Sequence, residues 1–277
     1  MTIQPRGALP AAWGALGAEA WARHLGLPRI EVHAELASTN DRARELALRG
    51  AATFTTVVAG SQTRGRGRGG ASWHSPAGMG LWISVLLPFR AKEASAPLSL
   101  AVGVATARAV ERAAGIAVQL KWPNDILRGG LKVAGILCET VGEAEGRAVA
   151  GIGVNLRRAG WEAPSHLEAR VGFLEEIAAR GIAEPDLASV LVDELRAWAD
   201  PAPRVVDGAL RAEWETRDCL RGRPVVAEGR AVGICAGVRK DGALELSLAD
   251  GSVVAVRSGR VRLMEQGASP SLHHNGD

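Results

Sequence analysis

The sequence contains no tyrosine, so no step in its chemistry can use a phenol. Its aromatic surface rests on 8 Trp and 3 Phe among 277 residues. Cysteine is scarce as well. Cys138, Cys219 and Cys235 form no CxxC pair and leave an odd count, which argues against a disulfide framework or a zinc ribbon and suits a reducing compartment. No segment offers about 20 uncharged apolar residues, so no membrane span is expected. The N-terminal stretch has no long apolar run behind a basic start, so no signal peptide is expected either. The expected location is the cytoplasm. HExxH, GxxxxGK(S/T) and GxSxG are all missing, which removes support for zincin, P-loop and serine-hydrolase chemistry.

What is present is an ordinary globular composition, 47% hydrophobic and 23% charged, enough for a sizeable core. Lys+Arg 33 against Asp+Glu 30 gives +3. Residues 61–80 hold Arg64, Arg66 and Arg68 and no acid, so the rest of the chain is balanced. The surplus therefore sits in one glycine-rich stretch. As a whole-chain signal for nucleic acid it is weak, because binders concentrate their charge more heavily.

Patterning along the chain predicts an α+β protein. The Ala/Gly/Trp-rich first thirty residues read as one loose helix, and Ile30–Leu36 as a strand. Ser38-Thr39-Asn40-Asp41 opens a helix with Ala43, Leu46 and Ala47 at helical spacing, ending at Gly50. Thr55–Ala59 reads as a strand, and Gly60–Gly80 as a loop of a length that is usually functional or disordered. Leu81–Leu87 is an apolar strand, and Leu98–Ala114 is apolar almost all round, as a buried helix is. Val118–Lys121, Lys132–Glu139 and Ala148–Asn155 read as strands, followed by two or three helices between Val171 and Arg217. After Cys219 come short strands over Pro224–Ala227, Ala231–Val238, Ala243–Leu248 and Ser252–Val256. Asp241-Gly242 and Asp250-Gly251 mark the turns of a small β-barrel. A boundary is expected near 217–220, and a disordered tail from 267.

Several segments carry chemistry. In the loop from Gln62 to Trp73, Gly65, Gly67 and Gly70 formally match GxGxxG. A proline-containing loop and a strand follow rather than a helix, so the dinucleotide reading fails. Glycines let backbone N–H groups approach an anion, and Arg66 and Arg68 offer planar forks to phosphate or carboxylate. The other reading of this loop is an RGG-like flexible linker touching RNA nonspecifically. Leu120-Lys121-Trp122-Pro123-Asn124-Asp125 presents a lysine beside an amide and a carboxylate, which suits phosphate with Mg²⁺; the alternative is a strand end followed by an ordinary Asn-Asp turn. Lys132 opens a strand whose mid-point, Gly135, marks close approach by a ligand or another backbone. Gly151-Ile152-Gly153-Val154-Asn155 ends in an amide able to read a base edge or cap a turn. Ser38, Thr39 and Asn40 read first as a helix N-cap, and second as donors to a small carboxylate or ureido-type ligand.

Taken in order, STN, QTRGRGRGGxSWxSP, LKWPND, LKVAGILxE and GIGVNL resemble the biotin–protein ligases over about residues 30–160, and the small C-terminal barrel fits too. The start of the chain is unlike the helix-turn-helix domain of some members, so the resemblance is to the monofunctional type without repressor activity, and no DNA partner is expected. The resemblance implies a mixed-sheet catalytic domain of the biotin/lipoate ligase, class II synthetase-like type over 1–218, an SH3-like β-barrel over 219–266, and a tail over 267–277. It also implies ATP and biotin as substrates, Mg²⁺, and a biotin carboxyl carrier protein as acceptor, with monomer and homodimer both open.

By that resemblance Ser38, Thr39, Asn40, Gln62, Gly65, Arg66, Gly67, Arg68, Lys132 and Gly135 contact biotin. Arg66, Arg68, Trp73, Lys121, Asn124, Lys132 and Asn155 contact ATP or the adenylate, with Trp73 packed on adenine and Asn155 on its edge. Lys132, assisted by Lys121 and Arg68, is implied to be catalytic, and Asp125 to bind Mg²⁺. Two departures stand out. Gly69 replaces an arginine common in the family, which weakens the loop's charge, and Trp82 stands where an aromatic such as Tyr is common, with no functional loss expected. A lipoate ligase or octanoyl transferase is the rival within the superfamily, disfavoured by the KWPND and GRGRGG pair. A nucleic-acid-binding module using the arginine loop is the rival from another class.

Overall fold

The structure is a computed structural model and describes residues 12–14, 16–89, 95–142, 146–158, 170–178, 181–227 and 231–264. The expected tail and most of the first turns of the expected N-terminal helix lie outside these residues. Within them the N-terminal segment forms one short helix, α1 (Ala18–His24). Two tryptophans pin the segment down: Trp13 Nε1 donates to Glu184 at 3.1 Å, and Trp21 Nε1 donates to the Trp13 carbonyl at 3.0 Å.

The first sheet has seven strands: β1 (Ile30–Leu36), β2 (Thr56–Gln62), β3 (Gly80–Pro88), β4 (Gln119–Lys121), β5 (Asp125–Arg128), β6 (Leu131–Val141) and β7 (Arg147–Asn155). Their order is β1-β2-β3-β7-β6-β5-β4, with β1 and β2 parallel and the remaining neighbours antiparallel. Both faces are covered. Helix α2 (Thr39–Leu48) packs Ala43, Leu46 and Ala47 against Val57, Leu86, Val141 and Val149. Val58, Ile83, Val85 and Leu87 point the other way, into the core beneath α3 (Ser95–Ala114) and α4 (Glu184–Ala199). A strand enclosed on both faces reads as a near-continuous apolar run, as β3 does, broken by Ser84. Each such buried aliphatic side chain contributes about 1.5–3 kcal/mol.

Two expectations need correction. Strand β2 runs on to Gln62, and the loop behind it folds back on itself: Gln62 bridges to Ser75 and Arg66 to Ser72. The alternative of a strand end followed by an ordinary Asn-Asp turn does not hold either, because Asp125 is itself in a strand. The chain reverses over Trp122–Asn124, and Asp125–Arg128 returns as β5, pairing Lys121 with Asp125 in register.

Helix α5 (Gly208–Glu215) leads to a second sheet, β8 (Pro224–Ala227), β9 (Ala231–Val238), β10 (Leu244–Ser247), β11 (Val253–Val256) and β12 (Val261–Leu263). It is antiparallel throughout, ordered β11-β10-β9-β8-β12; β12 was not foreseen. The expected Asp-Gly turns are present, with Gly242 at φ +82° and Gly251 at φ +83°, where glycine carries no steric penalty. Residues 217–219 tie this sheet to the first: Leu120 N donates to the Arg217 carbonyl and Cys219 N to the Leu120 carbonyl. Val225, Leu244, Leu246 and Val261 belong to the same apolar cluster as α3. Among the described residues no helix is long and apolar enough to cross a membrane.

Candidate active site

A cavity of about 460 Å³ opens where the arginine loop, the β4–β5 hairpin, β6, β7 and the second sheet meet. Its polar end is built at the start of α2. Ser38 Oγ accepts from Asp41 N at 3.4 Å, so the N-cap reading holds. The neighbours do more than cap. Thr39 N donates to Gln62 Oε1 at 2.8 Å, and Gln62 Nε2 donates to Ser75 Oγ at 2.7 Å. Asn40 Nδ2 donates to Glu139 at 2.9 Å, while Asn40 Oδ1 accepts from Ser84 Oγ at 2.6 Å. Ser38, Thr39 and Asn40 are all buried, which such groups tolerate only when hydrogen-bonded. Gly151 makes the arrangement possible, since a side chain there would collide with Asn40.

The other end is cationic. Arg68, exposed on the loop, lies over the Trp122 ring with its guanidinium carbon 5.8 Å from the ring centroid. Desolvation pulls its pKa below the ordinary arginine value, and it has no carboxylate partner among the described residues. Lys132 Nζ is ion-paired with Asp125 and sits 5.1 Å over the Trp73 ring. Arg66 meets Glu139 of β6 at 2.5 Å and Asp41 of α2 at 3.0 Å. Lys121 has no carboxylate partner among the described residues.

The wall between these ends is an indole on glycine. Gly135 and Gly153 are paired across β6 and β7, and the Trp73 ring lies over both. A Cβ on Gly135 would stand 2.8 Å from Trp73 Cζ3 and 3.0 Å from Lys132 Cε. Close approach at Gly135 was expected; the approaching groups are Trp73 and Lys132. Trp73 also meets Trp82 edge-on at 6.4 Å, and its Nε1 is buried with no acceptor.

Most of the expected site residues therefore line one cavity: Ser38, Thr39, Asn40, Gln62, Arg66, Gly67, Arg68, Trp73, Lys121, Asn124, Asp125, Lys132 and Gly135. Gly65 and Asn155 do not. Gly65 is packed under the loop, where a Cβ would run into the Trp73 carbonyl. Asn155 is buried behind the wall, its Nδ2 donating at 3.2 Å to the carbonyls of both Lys132 and Gly172. Asn124 lines the cavity while its Nδ2 clips the hairpin to the Ile136 carbonyl at 2.7 Å. Sequence reasoning missed Ser84, Glu139 and the stretch Ser258–Val261, which the second sheet adds to the lining. A lone hydroxyl inside the apolar run of β3 was the available signal for Ser84. Among the described residues no group of three or more His, Cys, Asp or Glu side chains is arranged to hold a metal ion.

Fold and cavity together define a small-ligand site. Residues 33–156 match the biotin/lipoate A/B protein ligase family. The biotin–[acetyl-CoA-carboxylase] ligase of Paracoccus denitrificans is 32% identical over 219 residues, covering 76% of this chain and 90% of that protein. Its counterpart from Mycobacterium tuberculosis is 34% identical over 259 residues, covering 85% and 89%. The chain belongs to the biotin/lipoate A/B protein ligase family. The bifunctional ligase/repressor BirA of Bacillus subtilis is 39% identical over 153 residues, 54% of this chain, and the match spans only 47% of that longer protein. Among solved structures, the biotin protein ligase of Aquifex aeolicus in complex with biotin and ATP superimposes with a TM-score of 0.67 at 27% identity, covering 83% of this chain and 96% of that one.

Proposed function

We propose that the protein is an ATP-dependent biotin ligase, joining biotin to a specific lysine of a biotin carboxyl carrier protein through biotinyl-5′-AMP. The observation that carries this reading is the cavity itself. A buried hydroxyl and carboxamide set, suited to a neutral ureido group, opens into the same volume as Arg68, Lys121 and Lys132. Its volume lies in the range of about 300–1,000 Å³ usual for small-molecule sites. The kinship to ligases solved with biotin and ATP supports the same substrates here.

In the first step a carboxylate oxygen of biotin attacks the α-phosphorus of ATP and pyrophosphate leaves. In the second, the carrier lysine amine attacks the acyl carbon and AMP leaves. Both substrates are anions, so positive charge must be in place where they meet, inside a volume that excludes water. Lys132 is assigned to the α-phosphoryl oxygen, with Asp125 fixing its ammonium group and Lys121 assisting. Arg68 is assigned to the adenylate phosphate. A guanidinium with no carboxylate partner among the described residues gains from an arriving anion, which supports this role. Arg66, already bound to Glu139 and Asp41, braces the loop on α2 over biotin, while Gly67 and Gly135 line the same cavity. Trp73 is assigned to the adenine.

The residues present fit a Mg²⁺ that arrives on the nucleotide. Asp125 is the carboxylate among the cavity's lining residues, and Mg²⁺ is commonly held by one or two carboxylates plus phosphate oxygens. Bound there, it would neutralise phosphate charge. We assign residues 1–218 to the catalytic unit and 219–266 to a small SH3-like barrel.

Incubation with ATP, biotin and an acceptor carrier domain tests the proposal. Biotinyl-AMP and a labelled acceptor lysine are expected; a folded sample that yields neither refutes it, and labelling with lipoate but not biotin would move the assignment within the family.

A further inference from the structure

Lys132 stands where the sheet stops holding it. On one side, β6 pairs with β7 only from Ala134 onward, and β7 ends at Asn155. On the other, the register with β5 shifts between Ile126 and Leu127, which face Ala134 and Lys132 and leave Val133 as the extra residue. A bulge of this kind disrupts the ladder locally. Held by the ladder alone, Lys132 would carry its ammonium group on a loose backbone.

A second segment takes over from the ladder. Residues 170–173 run alongside the start of β6, with Val171 bridged in parallel to Lys132. Lys132 N donates to the Arg170 carbonyl at 2.8 Å, and Gly172 N donates to the Lys132 carbonyl at 3.0 Å. Asn155, buried at the end of β7, closes the arrangement, because its Nδ2 donates at 3.2 Å to the carbonyls of both Lys132 and Gly172. A carboxamide nitrogen has two N–H groups, one for each carbonyl. Gly172 permits the close approach, since a Cβ there would stand 2.9 Å from the Leu131 Cβ and 3.2 Å from Val133 Cγ1. The next residue, Phe173, is buried with Met79 and Trp82 against Trp73, the ring under the Lys132 ammonium group.

Resting on the biotin-adenylation reading, we infer that Asn155 is a positioning residue for Lys132. Together with residues 170–173 it fixes the lysine backbone, and so the place where the ammonium group meets the α-phosphoryl oxygen. Asn155 does not line the cavity and acts through the lysine's own carbonyl. The Lys132 side chain is long, and Asp125 and Trp73 hold only its far end. Fixing the near end as well removes freedom that the lysine would otherwise have to lose on the way to the transition state.

The test uses the full chain, with Asn155→Ala, Asn155→Asp and Gly172→Ala made alone and combined with Lys132→Ala, and thermal unfolding to verify each fold. At saturating biotin and ATP, Asn155→Ala and Gly172→Ala should each slow single-turnover biotinyl-AMP formation roughly tenfold, the size of a lost buried hydrogen bond. The KM for ATP should stay within about twofold. Gly172→Ala reaches the same backbone without altering Asn155, so either variant tests the inference alone. Asn155→Asp keeps the shape and loses both donors, so it should be at least as slow as Asn155→Ala. In the Lys132→Ala background the same changes should slow the reaction by less than about twofold, because the group they position is gone. Additive losses overturn the inference. So does a loss confined to the KM for ATP, which would put Asn155 against the nucleotide instead. Hydrogen exchange in the ligand-free protein reads the positioning without activity. The Lys132 and Gly172 amides should exchange at least about tenfold faster in Asn155→Ala, and unchanged exchange overturns the inference. Should the unaltered protein make no biotinyl-AMP, the ligase reading fails; exchange still decides whether Asn155 holds the lysine backbone.

Discussion

The indole N–H of Trp122 donates to the carbonyl of Gly242 at 3.0 Å, joining the β4–β5 hairpin to a turn of the second sheet. Trp122 is the ring beneath Arg68, so this one bond links a distant turn to the loop that faces the cavity. The turn has no room to spare. Gly242 is at φ +82°, and a Cβ there would stand 2.7 Å from the Ala96 Cβ. Gly242→Ala should therefore destabilise the protein by about 1–3 kcal/mol, through strain and overlap together. Urea unfolding with an unchanged m-value would measure it, and an unchanged midpoint would contradict the latch.

Gly153 predicts a different kind of loss. Its missing side chain is the space in which Trp73 Nε1 lies, so Gly153→Ala should drive the indole off the β6–β7 wall. Nucleotide affinity should fall by about tenfold or more, the value of a lost stacking surface, while biotin affinity changes little. Calorimetry with each ligand separates the two. The Trp73→Ala background should abolish the extra cost of Gly153→Ala, since nothing is then left to collide.

Much of this architecture was legible in the sequence, and what escaped did so for physical reasons. Strands β1, β8 and β9 and the start of α2 coincide with their patterns because turn residues bound them on both sides. Strand β5 escaped because Asn-Asp is a strong local turn signal, and only register pairing with β4 and β6 makes Asp125–Arg128 a strand. Strand β12 is too short to show alternation. The site divides in the same way. Motif residues were found wherever chemistry and chain order coincide, as in Gln62 to Trp73. Glu139, Ser84 and Arg260 were missed because each reaches the site through pairing with residues distant in sequence. Gly65 and Asn155 carry motif identity, yet the fold spends them on supporting the loop and the wall.

The thiols give a prediction independent of function. Burial pushes Cys138 up to about 12, and Cys219 and Cys235 up to about 11. The thiolate is the reactive form, so at pH 8 a thiol with a pKa near 11 is ionised to only about one part in a thousand. Native protein should react slowly with an aromatic disulfide reagent at pH 8, and denatured protein should release 3 equivalents at once. Fewer than 3 after denaturation without reductant would reveal a disulfide instead.

Arg68 tests the loop. Its guanidinium lies over Trp122 with no carboxylate partner among the described residues, so it should gain most when the adenylate phosphate is present. Arg68→Gly should form biotinyl-AMP more slowly and release it to solvent. Free biotinyl-AMP, trapped by an external amine such as lysine or a bystander protein, should rise about tenfold or more. Retention equal to that of the unaltered protein would remove Arg68 from the closing loop.

Lys132 bears the largest expected effect. Its ammonium group is held from two sides, by the Asp125 carboxylate and by the face of Trp73, so it is oriented before substrate arrives. A preorganised charge of this kind stabilises the transition state more than the ground state, and removing one such group costs roughly 10²–10³ in rate. Lys132→Ala should slow biotinyl-AMP formation by that factor in single-turnover measurements, with biotin affinity within a few-fold of normal. Asp125→Asn should cost less, because it leaves the charge in place and loosens only its orientation. If Asp125→Asn proved as damaging as Lys132→Ala, the carboxylate would be doing more than holding the lysine, and direct binding of Mg²⁺ by Asp125 would become the leading explanation. Titrating the variant's rate against Mg²⁺ would then separate the two, because a lost metal ligand shifts the Mg²⁺ dependence and a misplaced lysine does not.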